Sequence, residues 1–147
     1  MTTPAAGRTG QRGCPEFRQL DWDDHLAAHV AAVAPAWFAE DLGHECDWTS
    51  VALVDAGATS TLDVVARRPG VIAGLPAAAI VARVADPALA LEPLVADGAV
   101  VSAGSVVATL SGATRSVLAA ERVILNLLGR LSGVATATRR LVDAVAG

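Results

Sequence analysis

Leu118-Ala119-Ala120-Glu121-Arg122-Val123-Ile124-Leu125-Asn126, with Leu131-Ser132-Gly133-Val134-Ala135-Thr136 close behind, is the stretch on which the reading of this chain turns. Its spacing predicts a helix. Val117, Leu118, Leu125, Leu128 and Leu131 form one apolar arc. Arg115, Arg122, Asn126 and Arg130 form a polar stripe beside it, at steps of seven, four and four. A rigid row of arginines against an apolar wall suits a small, flat dianion, because a guanidinium is a planar fork of donors that matches a carboxylate. Glu121 falls inside the apolar arc, so partial burial and a structural ion pair, with Arg67 or Arg68, are expected. Ser132 reads as the N-cap of a second helix running to about Val145.

Upstream of this helix the pattern is that of strands and turns. Val106 to Leu110 reads as a strand closed by Gly112, and the turns Asp97-Gly98 and Ala103-Gly104 bracket Val100-Val101. Pro76 opens an Ala-rich helix to about Val84, since proline is tolerated in a first turn. From Ser50 to Leu75 the period is two: Thr59, Thr61, Asp63 and Val65 oppose Leu62, Val64 and Ala66 in a half-buried strand. Arg68-Pro69-Gly70 is a turn, and Val71-Ile72-Ala73 a second short strand. A first helix begins near Asp21 or Asp23 and places Trp22, Leu26, Val30, Val33 and Trp37 on one face. Pro35 is expected to kink it or split it before Trp37, Gly43 to end it, and Glu40 through Thr49 to form a polar connection. The expected fold class is α+β: an N-terminal α/β sandwich, with a short, mostly antiparallel sheet backed by helices.

Composition narrows the chemistry. At 147 residues the chain has the size of one domain and can bury roughly 68–70% of its unfolded surface. Hydrophobic residues make up 53% but aromatics only 3%, so small side chains favour close packing of helix on sheet. A net charge of -4 argues against a nucleic-acid partner, which needs a basic face. All 11 basic residues are arginine, and the absence of lysine excludes Schiff-base, biotinyl-lysine and lipoyl-lysine chemistry on this chain. That matters because Asp97 to Gly112, with its glycine turns and valine-rich strands, has a lipoyl-like half-barrel character. Cys14 and Cys46 lack metal or redox spacing and read as free thiols of a reducing compartment. Residues 1–20 read as a disordered leader without a signal-peptide core, and no apolar run reaches the ~20 residues of a membrane span. A cytoplasmic protein without membrane association is expected.

Five ordered segments carry a resemblance. Glu40-Asp41-Leu42-Gly43 with Asp47-Trp48-Thr49-Ser50, Ala66 through Leu75, Asp97-Gly98 with Gly104 and Gly112, Ala120-Glu121-Arg122 with Leu125-Asn126, and Leu131-Ser132-Gly133 with Ala135-Thr136 resemble quinolinate phosphoribosyltransferases, also called carboxylating nicotinate-nucleotide pyrophosphorylases. Glu45-Cys46 stands where that family usually has a glycine-containing turn, and Val123 where it often has threonine. The resemblance implies transfer of phosphoribosyl from phosphoribosyl pyrophosphate to quinolinate with decarboxylation, giving nicotinate mononucleotide for NAD biosynthesis. It implies a homodimer or larger homo-oligomer, and Mg2+ in the complete enzyme. An arginine of one subunit's N-terminal domain reaches the partner's active site to bind a substrate carboxylate; Arg122 matches it, and is the one substrate-binding residue expected here.

The same resemblance divides the chain into a sandwich domain at 21–131 and the start of an α/β barrel at 132–147. The family's catalytic groups and magnesium ligands lie in that barrel, so no catalytic residue and no metal ligand is expected here, and the chain alone should be inactive. The final helix has an apolar side of Val134, Leu141, Val142 and Val145 that further polypeptide or a partner should cover. Arg115 and Arg130 read as a solvated helix side. His25 and His29 have a zinc-compatible four-residue spacing but no third ligand, and His44 through Asp47 read as a turn. The competing reading is non-catalytic, an interaction or dimerisation fragment of the same fold. A molybdenum-transport-linked paralogue or a nicotinate-using relative would share the sandwich.

Overall fold

The computed structural model describes residues 21–42 and 47–146. Residues 1–20, expected as a leader, residues 43–46 and Gly147 lie outside the described residues, and with them both cysteines and the expected turn at His44 to Cys46. Helix α1 (Asp24–Leu42) starts just after the expected acidic residues, so Trp22, expected on its apolar face, lies before it and is exposed. The Asp23 carboxylate accepts the Leu26 N–H at 2.8 Å, satisfying one of the donors that a helix start leaves unpaired. Pro35 lies inside α1, and the expected split before Trp37 does not occur. Packing explains the difference: Val30 and Ala34 are buried and Trp37 and Phe38 lie against the core, so docking of this face offsets the lost backbone bond.

The polar connection expected through Thr49 is also shorter than read. Helix α2 (Trp48–Leu53) begins with Asp47, which accepts both the backbone N–H of Ser50 (3.1 Å) and its hydroxyl (2.5 Å). Ser50 is therefore a buried helical residue, and the period-two segment starts only at β1 (Thr59–Val65). There the alternation holds except at Leu62: Thr59, Thr61, Asp63 and Val65 are exposed and Ser60 and Val64 turn inward, but Leu62, expected on the inward side, is also exposed. After β2 (Gly70–Val71), helix α3 (Leu75–Ala85) carries Pro76 in its first turn, as expected. Strand β3 (Ala90–Pro93), which the sequence did not single out, is followed by β4 (Val100–Val101) and β5 (Val106–Ala113).

The strands form an antiparallel sheet of order β1-β5-β3, and β2 pairs with β4 in a separate antiparallel ladder. Leu62, Leu110 and Leu91 stand opposite one another across the three strands. This confirms the α+β class and its mostly antiparallel sheet. Helix α3 packs against α1, α4 and β3, and α1 and α4 also touch each other. Its Ala77, Ala78, Val81 and Ala82 are buried, and such small side chains let the helices approach closely.

Helix α4 (Thr114–Ala146) runs unbroken for 33 residues, about 50 Å at 1.5 Å per residue. Ser132 lies inside it and caps nothing. The inward face is Val117, Ala120, Ile124 and Leu128, with Val123 buried and Leu127 packed beside it. Only two members of the expected arc, Val117 and Leu128, belong to this face; Leu118, Leu125 and Leu131 are partly exposed. Apolar residues occupy more than half of the helix circumference, so periodicity alone could not say which arc the core would take. Val134, Leu141, Val142 and Val145 are exposed on the final turns, as expected.

Candidate functional site: an arginine cleft between two helices

Two helix faces meet to form the cleft. On α4, Arg122, Asn126 and Arg130 follow one another at four-residue steps and so share one side of the rod. On α1, Trp37 and Asp41 are likewise four apart. Together with Glu40, Val123 and Leu127 they line an open cleft of about 400 Å3. Val123 is buried and Leu127 leans on the core, so the backbone beneath Arg122 is held by packing.

The Arg122 Nε lies 3.1 Å from Asp41 Oδ1; the guanidinium side chain is 73% exposed and the aspartate only 18%. The side chain expected to meet a substrate is therefore on the surface, with its Nε against Asp41, and not sunk in its own protomer. Two arginines and two carboxylates share the cleft beside the indole of Trp37. Such an arrangement can receive a planar anion, with cationic donors for a carboxylate and an apolar wall for a ring.

The rest of the expected stripe divides. Arg130 lines the cleft, but Arg115 belongs elsewhere: its Nε and Nη2 donate to Val54 O (3.0 and 2.6 Å), and Nη2 also to Val51 O (2.9 Å). It closes the C-terminal end of α2, where free carbonyls favour a cation. Glu121 is half-buried, yet the ion pairs among the described residues are Arg122–Asp41 and Arg139–Asp143. The expected pairing with Arg67 or Arg68 is not formed. His25 and His29 are exposed, and among the described residues no group of three or more His, Cys, Asp or Glu side chains could hold a metal ion.

The Leu131–Thr136 motif has a clear physical use. Ser132 and Thr136 lie one helical turn apart and reach across to the β2 region. Thr136 Oγ1 accepts the Val71 N–H at 2.9 Å, and Ser132 Oγ accepts the Ala73 N–H at 3.1 Å. Two hydroxyls of a helix thus serve as hydrogen-bond partners for a short edge strand. Gly70 allows this approach, since a Cβ there would come within 2.7 Å of Thr136 Oγ1. A second distant cap holds α3. Gly74, at φ +100°, has no side chain to offer, and Asp97 supplies both carboxylate oxygens, to Gly74 N (2.7 Å) and Leu75 N (2.9 Å). In the sequence Asp97 reads as a turn residue within the Asp97-Gly98 motif. Its motif position was visible, but its partner was not.

Fold and cleft together define a small α+β domain that presents an arginine from a long, rigid helix. The family model for the quinolinate phosphoribosyl transferase N-terminal domain matches residues 47–132. The chain belongs to this family. It is 44% identical over 112 residues to a probable nicotinate-nucleotide pyrophosphorylase [carboxylating] of Synechocystis sp., covering 75% of this chain and 37% of that protein. To the nicotinate-nucleotide pyrophosphorylase [carboxylating] of Mycobacterium leprae it is 42% identical over 113 residues, covering 74% of this chain and 39% of that one. The crystal structure of NadC from Streptococcus pyogenes superimposes with a TM-score of 0.80 at 28% identity, over 88% of this chain and 45% of that chain. The chain thus spans somewhat more than a third of the length of these curated relatives. No helix among the described residues is long and apolar enough to cross a membrane.

Proposed function

We propose that this chain is the N-terminal, substrate-presenting part of a cytoplasmic quinolinate phosphoribosyltransferase, acting in a homodimer or larger homo-oligomer. In that assembly it takes part in joining quinolinate to phosphoribosyl pyrophosphate, with loss of carbon dioxide. The single observation that carries the reading is the placement of Arg122. It is the motif arginine, it stands on a helix anchored in the core, and its guanidinium is open to a second body. A pyridine dicarboxylate approaching from a partner subunit would meet two cationic side chains, Arg122 and Arg130, with Asn126 between them. Arg122 would donate to one carboxylate and hold the ring in register while its nitrogen attacks the ribose carbon.

Residues 21–131 serve as the sandwich domain and 132–147 as the approach to a barrel. The family match ending at residue 132 supports this division. The described residues do not fit a magnesium site, since none of their acidic or imidazole side chains converge in threes. Magnesium would take its ligands outside the described residues.

The test is a chimera in which residues 21–146 replace the matching stretch of the Synechocystis protein. Arg122→Ala is expected to raise the KM for quinolinate by about 10- to 100-fold, the worth of a hydrogen bond to a charged group. The KM for phosphoribosyl pyrophosphate should hold. Unchanged quinolinate kinetics would remove the role.

A further inference from the structure

We propose that Asp41 is the positioning residue of this site: it holds the Arg122 guanidinium across the cleft by its Nε, so that the terminal amino groups face an incoming carboxylate. The inference rests on the reading of Arg122 as the substrate-binding arginine. Four observations carry it. Asp41 meets Arg122 at Nε, 3.1 Å away, the donor nearest the aliphatic stem, and a guanidinium has four further N–H donors beyond it. The two partners differ sharply in freedom, since the carboxylate is 18% exposed and the guanidinium side chain 73%. The covered partner therefore fixes the open one.

The location of Asp41 gives the third observation. It stands in the last turn of α1, beside Glu40 and with no basic residue in that turn. A carboxylate there faces the negative end of the helix dipole and gains nothing from its own helix. Arg122 is the group that compensates it. A local rule broken at a cleft fits a site held for function. The fourth is the frame around the pair. Trp37 lies one turn before Asp41 on α1, and Val123 and Leu127 flank the arginine on α4, all three lining the same cleft. With both helix backbones packed on α3, the pair spans two fixed points. An arginine left free in solvent would sample many rotamers, and ordering it on binding would cost affinity. Prior fixation by Asp41 removes part of that cost.

The first arm of the test uses the full chain labelled with 15N-arginine, in slightly acidic buffer. The Nε–H signal that disappears in Arg122→Lys is assigned to Arg122. In Asp41→Ala it should move to the position of a solvent-exposed arginine, whereas Asp41→Asn, which keeps an oxygen acceptor, should retain part of the shift. The backbone amide spectrum, otherwise unchanged, shows that the fold is kept. A signal that stays put in Asp41→Ala overturns the proposal.

The second arm measures kinetics in the chimera. Asp41→Ala should raise the quinolinate KM by roughly two- to fivefold, the range an exposed ion pair carries, with little effect on kcat. Asp41→Asn should recover part of it. If Arg122→Ala impairs the chimera while Asp41→Ala matches the parent, Asp41 has no positioning role and the arginine reading stands. If Arg122→Ala itself has no effect, both fall.

Discussion

Replacing Asp97 gives the sharpest test of how this domain is held together. Its carboxylate lies on the turn before β4, yet it accepts the N–H groups of Gly74 and Leu75 at 2.7 and 2.9 Å and so caps α3 from 22 residues away. In the same region the Gly98 N–H donates to Ile72 O at 2.7 Å, so one short turn ties the end of β2 to the start of α3. Asp97→Ala removes both bonds to α3. Loss of an N-cap costs about 0.5–2 kcal/mol, and a carboxylate at the positive end of a helix adds about 0.3–1 kcal/mol. Because Asp97 is exposed, water can take over part of the work, and the expected loss is about 1–2 kcal/mol. Asp97→Asn keeps one acceptor and should lose about half as much. Urea unfolding followed by circular dichroism reads both values, and the m-value checks that the unfolding remains comparable. A loss below about 0.3 kcal/mol for Asp97→Ala would refute the distant cap, because it falls under even a weak capping interaction.

Two further outcomes concern other hydrogen bonds made by polar side chains. Ser132→Ala with Thr136→Ala should cost about 1–3 kcal/mol, since the Val71 and Ala73 N–H groups lose their part-buried partners. Hydrogen exchange at those two amides should rise in the double variant, and exchange unchanged from the parent would show that the helix hydroxyls do not hold the strand. Acid should destabilise the domain through Asp47 and Asp86. The Ser50 hydroxyl and then its N–H hold the Asp47 carboxyl below its usual range, and the Ser116 hydroxyl and then the Ala88 N–H do the same for Asp86. A carboxyl whose folded pKa is depressed contributes stability above its unfolded value, and loses it as pH falls through the folded value. The urea midpoint should therefore drop below about pH 4. Asp47→Asn with Asp86→Asn should flatten that drop, and an unchanged slope would assign it to other groups.

Several elements were legible from local pattern. The alternation of Thr59 to Val65, the proline at the start of α3 and the glycine turns around Val100-Val101 were read from neighbours in sequence, because each depends on interactions within a few residues. Arg122, Asn126 and Arg130 were also readable as one stripe, since a helix places every fourth residue on one side. The length of α4 was not readable. Ser132 satisfies the rule for a cap, and only the β2 amides lying across from it show that its hydroxyl is used sideways. The same limit applied to Pro35, whose local cost was outweighed by the burial of Val30 and Ala34.

The amino-acid sequence by itself determined the class of fold, the antiparallel character of the sheet, the family and the arginine that stands out on its longest helix. Tertiary structure alone decided which arc of α4 faces the core, and that Arg115 closes α2 while Arg122 meets Asp41. It also decided that Asp97, Ser132 and Thr136 serve backbone groups 22 to 65 residues away. The physical reason is range. Helix and strand preferences come from contacts within a few residues, whereas the partner of a polar side chain is set by which surfaces are brought together once apolar faces are buried.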